Sequence, residues 1–211
     1  MSNTKENILL TALRLFAQDG YKAVSVSTIA NELGMTKGAL YKHYKNKQDI
    51  FDRIVERIYK VDVEHAKKCE VPEETFDKSP LPYSYTSIEN IKIFIKEKFC
   101  FWIEDEFACN FRKILVLEQY RNTEIAELYH KCLTSGPVSY MEDIFREMME
   151  QGVLEKNNPK QLAIDFYSPF YLLISISDSV DDKEEVKNLL NEHVEQFIIR
   201  NIVKNKKEKE Y

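Results

Sequence analysis

The residues that could do chemistry in this chain are concentrated between Ser25 and Lys47, where hydroxyl and amine side chains are grouped and carboxylates are scarce. No acidic residue occurs between Leu33 and Gln48. The donors and small residues of this stretch are Thr36, Lys37, Gly38, Tyr41, Lys42 and His43. Hydroxyl and amine donors bind phosphate oxygens, and lysine also donates to guanine O6 and N7. The segment therefore predicts nucleic-acid binding.

Two short helices joined by a glycine turn must position these side chains. Ser25 and Thr36 have hydroxyls suited to cap helix N-termini, and Gly34 suits the sharp turn between the helices. The apolar residues that recur at helical spacing and would pack the two helices together are Ile29, Ala30, Leu33, Met35 and Leu40. The pattern predicts a helix-turn-helix. The alternative is a solvated surface helix, which would normally mix acids with its lysines.

The run from Asn7 to Phe51 resembles the N-terminal domain of TetR-family transcriptional regulators. The resemblance rests on Thr-Lys-Gly-Ala-Leu-Tyr at 36–41, on Lys-Asn-Lys at 45–47, and on the pairs Phe16-Ala17, Gly20-Tyr21 and Ile29-Ala30. It implies a three-helix DNA-binding unit on an all-helical body. It further implies a homodimer that binds a palindromic operator in double-stranded DNA and releases it when a small molecule binds the body. Repression is the default that the resemblance implies, and an activator stays the alternative.

Carried over by position, the resemblance implies three groups of DNA contacts. Thr36, Tyr41, His43 and Lys47 correspond to phosphate contacts, Lys37, Gly38, Ala39 and Lys42 to groove-facing residues, and Ser25 and Thr28 to backbone contacts of the first motif helix. For His43, packing against the first helix remains an alternative. Lys42 departs from the family, because many members have an aromatic residue there, so the operator sequence is not implied. Gly38 also has a direct explanation, since a missing side chain lets the helix backbone approach DNA closely.

Charge divides the chain into a basic head and an acidic body. The 211 residues have a net charge of −5, but residues 1–48 have seven Lys or Arg against three acids. The remainder has 23 basic against 32 acidic residues. A basic surface steers a protein to DNA, and an acidic remainder limits nonspecific binding. We expect residues 1–48 to be the DNA-binding domain and residues 49–211 the ligand-binding and dimerisation domain.

The rest of the pattern predicts an all-α fold of about nine helices without strands. Helix starts are expected at Asn3, Asn46, Ser87 and Asn158, each a good N-cap residue. Residues 70–86 contain three prolines and are expected to form a loop. A shorter helix is expected around Phe111 to Tyr120, a helix break near residues 135–137, and the last helix from near Asp182. The basic tail at 204–209 is expected to fray.

The two final helices are apolar on more than one side, which in the family corresponds to a four-helix dimer interface. Burial of both stripes in the monomer core is the alternative. The body is also rich in aromatic residues that suit a pocket for a small hydrophobic or aromatic effector. The candidates are Phe94, Phe101, Trp102, Tyr120, Phe166, Tyr167 and Phe170. Aromatic residues at helical spacing are more often core than pocket, so that alternative also remains.

Other classes of function have little support in the sequence. The chain has no Gly-rich phosphate loop and no nucleophile elbow, so an enzyme is not expected. The four cysteines lack metal-ligand spacing, and neither a metal, a cofactor nor a disulfide framework is expected. No apolar run reaches the roughly 18 residues of a membrane span, and the N-terminus lacks a signal peptide core, so a cytoplasmic protein is expected. A helical interaction module that has lost DNA binding would share the body but not the basic face.

Overall fold

The computed structural model of the chain describes residues 4–203, and this range is built from helices joined by turns. Within it lie ten α-helices and one 3-10 helix. The α-helices are α1 (Thr4–Asp19), α2 (Val26–Glu32), α3 (Lys37–Tyr41), α4 (Lys47–Lys68), α5 (Ile88–Glu104), α6 (Glu106–Glu118), α7 (Thr123–Leu133), α8 (Ser135–Glu150), α9 (Pro159–Ser177) and α10 (Glu184–Asn201). The predicted all-α class is confirmed.

Local capping explains most of the helix starts. Asp49 N–H donates to Asn46 Oδ1 at 2.8 Å, Asn90 N–H to Ser87 Oγ at 3.1 Å, and Gln161 N–H to Asn158 Oδ1 at 3.0 Å. Each bond satisfies an amide that has no partner inside the first helical turn. The starts predicted at Asn46, Ser87 and Asn158 are therefore confirmed. The start predicted at Asn3 and the tail at 204–209 lie outside the described residues.

Two local predictions were wrong in part. Helix α6 begins at Glu106, five residues before the expected Phe111, because Asp105 Oδ1 accepts from Ala108 N–H at 2.9 Å and caps the helix. Residues 70–86 are not entirely loop, since Leu81–Tyr85 form a 3-10 helix. Tyr83 anchors that helix: its ring is buried, and its hydroxyl donates to the Glu74 carbonyl at 3.0 Å.

By internal packing the chain divides into two compact units. The first combines the N-terminal part through residue 64 with residues 104–130, and the second combines residues 65–103 with the chain from 131 onward. In the first unit, α1 packs against α2 and α6, and α2 packs against α3. Its fully buried side chains include Ile8, Phe16, Ile29, Leu40, Ile50 and Phe111. These units are defined by packing, so the functional boundary expected after residue 48 stays a prediction.

In the second unit, α8 packs against α9 and the 3-10 helix, and α9 packs against α10. An aromatic triad forms the centre of its core, with one ring from each of α8, α9 and α10. The centroid of Phe166 lies 5.4 Å from that of Phe145 and 4.8 Å from that of Phe197. All three rings are buried. Burying aromatic rings of this size dominates core energetics.

Residues 4–203 contain neither a membrane-spanning helix nor a cluster of metal-ligating side chains. No helix in that range is both long and apolar enough to cross a membrane. The same residues contain no group of three or more His, Cys, Asp or Glu side chains placed to hold a metal ion.

Candidate nucleic-acid interface

The helix-turn-helix is formed by α2, a tight turn and α3, and both helices are capped by hydroxyls. Ser25 Oγ accepts from Thr28 N–H at 3.1 Å, and Thr28 Oγ1 accepts from Ser25 N–H at 3.3 Å. The two residues thus form a reciprocal capping box for α2. Thr36 Oγ1 accepts from Ala39 N–H at 3.2 Å and caps α3. The caps predicted at Ser25 and Thr36 are confirmed.

Gly34 makes the turn between the helices possible. Its φ is +63°, a left-handed conformation that other residues adopt only with strain. The Gly34 amide donates to Asn31 O at 3.0 Å, and the Met35 amide donates to Ala30 O at 3.0 Å. These two bonds satisfy carbonyls left free at the end of α2 and reverse the chain direction.

The inner side of the motif is apolar and packed. Ile29, Ala30 and Leu40 are buried, whereas Leu33 and Met35 are half-buried. Tyr44 follows α3 and is also buried, and its hydroxyl donates to the Lys5 carbonyl at 3.1 Å. Burial raises the pKa of Tyr44 to about 12, and the nearby carboxylates of Glu6 and Asp49 act in the same direction. Packing on this side leaves the opposite side of α3 to solvent.

The outer side of α3 presents the predicted DNA-contacting residues to solvent. Thr36, Lys37, Gly38, Tyr41, Lys42 and His43 are exposed, and Ala39 is half-buried. Tyr41 is 46% exposed, and the Lys37 ammonium lies 5.9 Å from the centroid of its ring. Ser25 and Thr28 are exposed at the start of α2. The structure thus places nine of the ten predicted residues on one short motif. Those with hydroxyl, ammonium or imidazole side chains are exposed to solvent.

Lys47, the tenth predicted residue, is placed differently. It is the first residue of α4, and its ammonium donates to the carbonyls of Tyr21 at 2.7 Å and Val24 at 2.9 Å. The ammonium also lies 4.4 Å from the centroid of the Tyr21 ring. Burial lowers the pKa of Lys47, and the carboxylate of Glu118 opposes that shift. Sequence reasoning missed Tyr21 as a contact of Lys47, because only the tertiary arrangement brings residues 21 and 47 together.

The predicted pocket residues do not form one group. Phe166 belongs to the aromatic triad, Tyr167 stacks on Phe170 at 5.1 Å between centroids, and Phe101 lies 5.4 Å from Trp102. Phe94 is buried in a separate cluster with Ala66, Cys69 and Val71. Tyr120 is 89% exposed and belongs to the first unit. The rings that are buried pack in the core, and the assignment of a pocket stays a prediction.

The N-terminal part of the chain, which contains this motif, is similar to known proteins. Residues 8–54 match the family described as bacterial regulatory proteins, tetR family. The HTH-type transcriptional regulator AcrR of Shigella flexneri is 47% identical over 53 residues, which is 25% of this chain and 25% of AcrR. The aligned part of this chain therefore spans about a quarter of that relative.

Solved structures resemble the chain over almost its whole length. SmeT in complex with triclosan has a TM-score of 0.70 at 18% identity, with 96% of this chain and 93% of SmeT covered. SmeT is described as the repressor of the Stenotrophomonas maltophilia multidrug efflux pump SmeDEF. A Saccharomonospora viridis protein in complex with choline has a TM-score of 0.66 at 20% identity, with 97% and 100% covered. At these identities the likeness concerns the fold alone.

Proposed function

Residues 8–54 of this chain are a helix-turn-helix domain of the tetR family, and on that premise we propose that the protein is a homodimeric transcriptional repressor. In this proposal it binds a palindromic operator in double-stranded DNA and releases it when a small hydrophobic or aromatic molecule binds the body. The observation that carries the proposal is the outer side of α3, where exposed donors and Gly38 lie together without a carboxylate.

Each residue of that side has a proposed task. Thr36, Tyr41 and His43 donate to phosphate oxygens and fix the position of α3 on the duplex. Lys37 donates to guanine O6 or N7 in the major groove, and Gly38 allows the backbone to approach the bases. Ala39 and Lys42 face the groove beside them, and Ser25 and Thr28 contact the sugar-phosphate backbone from α2.

A dimer would add specificity, because α3 is a five-residue helix and reads only a few base pairs. Two copies held about one helical turn apart, roughly 34–36 Å, read a palindrome. We propose that α9 and α10 form the dimer interface. Large apolar side chains remain exposed on these two helices, namely Ile164, Leu172, Ile176, Leu189 and Ile199. Ile164, Leu172 and Ile176 are separated by multiples of four residues and so lie on one side of α9, and an exposed apolar side of a helix supports a protein–protein contact.

The effector proposal rests on the second unit and on the structural neighbours. SmeT binds triclosan, and the Saccharomonospora viridis protein binds choline, so proteins of this fold bind small molecules. In this chain Trp102, Phe166 and Phe170 are almost fully buried. Effector binding would therefore have to select a conformation that opens space among such rings. Release of the operator requires that this conformation binds DNA more weakly.

Selection from a random duplex pool with the purified protein tests the proposal. We expect an enriched palindrome with wild type and no enrichment with the double variant Lys37→Ala and Tyr41→Ala. A matched control is Lys156→Ala, which removes an exposed lysine between α8 and α9 and should leave the enriched sequence unchanged.

The outcomes of this selection separate the classes of function. An enriched sequence without two-fold symmetry would contradict the dimeric reading. Absence of enrichment by the ligand-free wild type would contradict operator binding by the free protein and would point to a corepressor requirement or to a helical interaction module. An enriched sequence would then serve as the probe for screening small molecules by loss of binding.

A further inference from the structure

The turn between α1 and α2, residues 20–24, is held by a side chain from the start of α4. Lys47 Nζ donates to Tyr21 O at 2.7 Å and to Val24 O at 2.9 Å, and Lys22 O lies 3.5 Å away. A lysine ammonium has three donors and no acceptor. The ammonium of Lys47 therefore has three carbonyl oxygens of this turn within 3.5 Å, two of them at 2.7–2.9 Å.

Aromatic packing fixes the ammonium in that position. The Tyr21 ring lies beneath it at 4.4 Å, a distance at which a cation is attracted to the ring face. The Tyr21 ring in turn packs against Phe16 and Phe51, with centroids 5.0 Å away in each case. Its hydroxyl donates to Gln48 Oε1 at 2.7 Å. Lys47 and Tyr21 thus link α4, α1 and the turn into one arrangement.

This arrangement ends directly at the DNA-binding motif. Val24, whose carbonyl accepts from Lys47, precedes Ser25, the N-cap of α2. The backbone that Lys47 holds is therefore the backbone that sets where α2 begins, and α2 packs against α3.

From these contacts we propose that Lys47 is a positioning residue for operator binding, which fixes the start of α2 through the turn at 20–24 and is not a phosphate ligand. The proposal rests on the proposed operator binding and changes the role that the resemblance implies for this residue. Phosphate binding by Lys47 would require its ammonium to leave carbonyls that it already contacts at hydrogen-bond distance.

The salt dependence of operator binding distinguishes the two roles. A lysine that neutralises a phosphate releases a counterion, and its loss reduces the slope of log affinity against log salt by about 0.9. We expect Lys47→Gln to lower the affinity for the operator about tenfold or more, which corresponds to about 1.4 kcal/mol of binding free energy. The slope should be unchanged. The charge-matched control Lys156→Gln removes an exposed lysine between α8 and α9 in the second unit and should leave both affinity and slope unchanged. A reduced slope for Lys47→Gln, or an unchanged affinity, would overturn the proposal.

Two further measurements keep a folding defect from being mistaken for positioning. Titration at saturating duplex gives the fraction of active protein, so the affinity refers to folded molecules alone. Lys47→Arg keeps the positive charge but replaces the compact ammonium, whose single nitrogen has three N–H donors, by a planar guanidinium with its donors on three nitrogens. For a positioning residue we expect this variant to lose affinity at constant slope, whereas a phosphate ligand would tolerate it.

Hydrogen exchange in the DNA-free protein tests the contact without operator binding. The amide of Thr28, capped by Ser25, should exchange faster in Lys47→Gln, while the amide of Ala39, capped by Thr36, should keep its protection. Equal protection of Thr28 in wild type and variant would contradict the positioning role. If wild type selects no duplex but Thr28 loses protection in the variant, the failure lies in the proposed function and not in the contact.

Discussion

Replacing Gly20 by alanine should destabilise the first unit by two separable effects. Gly20 has φ +86°, and a Cβ at this position would lie 2.7 Å from Oε1 of Glu118. Glu118 is only 2% exposed, so its carboxylate has little room to move away. Gly34 provides the matched control, because its φ is +63° and a Cβ there would meet nothing within 4 Å.

The expected magnitudes follow from that comparison. A left-handed conformation costs a non-glycine residue about 1–2 kcal/mol, so Gly34→Ala should lower the free energy of unfolding by about that amount. Gly20→Ala carries the same strain and must also displace the Glu118 carboxylate. Contacting residues typically couple by about 0.5–3 kcal/mol. We therefore expect Gly20→Ala to lose about 1.5–5 kcal/mol in total.

Urea unfolding followed by two probes measures these losses. Ellipticity reports on all helices, whereas fluorescence of Trp102, the single tryptophan of the chain, reports on the second unit. The losses should therefore be seen in the ellipticity transition. In a Glu118→Ala background, Gly20→Ala should cost no more than Gly34→Ala does. Equal losses for the two glycines in the wild-type background, or no relief in the Glu118→Ala background, would refute the steric reasoning.

Three other changes test the remaining features. A Cβ added at Gly38 would meet nothing within 4 Å, so Gly38→Ala should stabilise the protein by up to about 1 kcal/mol in urea unfolding. The same substitution should weaken operator binding in an anisotropy titration. Unchanged affinity would argue against close approach of α3 to the bases. Leu172→Glu, at a side chain 59% exposed on α9, should yield monomers in sedimentation velocity, whereas Leu117→Glu, 45% exposed on α6, should not; a dimer in both variants would contradict the α9–α10 interface. Burial lowers the pKa of Lys98 to about 8 from 10.5, so between those values the unfolded chain binds more protons and the contribution of Lys98 to stability rises with pH, by about 1 kcal/mol from pH 8 to pH 9. Burial raises the pKa of Cys69 and Cys132 to about 11, and these thiols act in the opposite direction as they ionise in the unfolded chain, so the Lys98 contribution is the difference between wild type and Lys98→Met in thermal unfolding; a difference that does not change between pH 8 and pH 9 would contradict the lowered pKa of Lys98.

The sequence predicts the motif well because its determinants are local. Ser25, Thr36 and Asn158 act through amides three residues away, and such caps can be recognised from spacing alone. Asp105 has the same local signal, since it caps α6 through the amide of Ala108 three residues away, and the expected start at Phe111 lies five residues after the observed one. The glycine at 34 likewise has a local reason in its positive φ.

The sequence could not predict features that depend on distant residues. Lys47 and Tyr21 are 26 positions apart, and only the packing of α1 and α4 brings them into contact. A lysine in a basic helix-turn-helix segment is ordinarily interpreted as a phosphate contact. Nothing in the sequence around Lys47 indicates that its ammonium binds backbone carbonyls instead. The aromatic residues of the body have the same limitation, since periodicity identifies Phe166 and Phe170 as inward-facing but cannot separate a core from a pocket.

The first unit is discontinuous in the chain, and this affects how the protein is made. The polypeptide leaves the unit after residue 64 and returns at residue 104, where α6 supplies Phe107, Phe111 and Ile114 to its interior. A ribosome that has completed the helix-turn-helix has therefore not yet made the surface against which α1 packs. The motif should reach its final stability only when about half of the chain has emerged. A fragment that ends before α6 would expose apolar surface of α1, so we expect residues 4–64 alone to be less stable than the same residues in the whole chain.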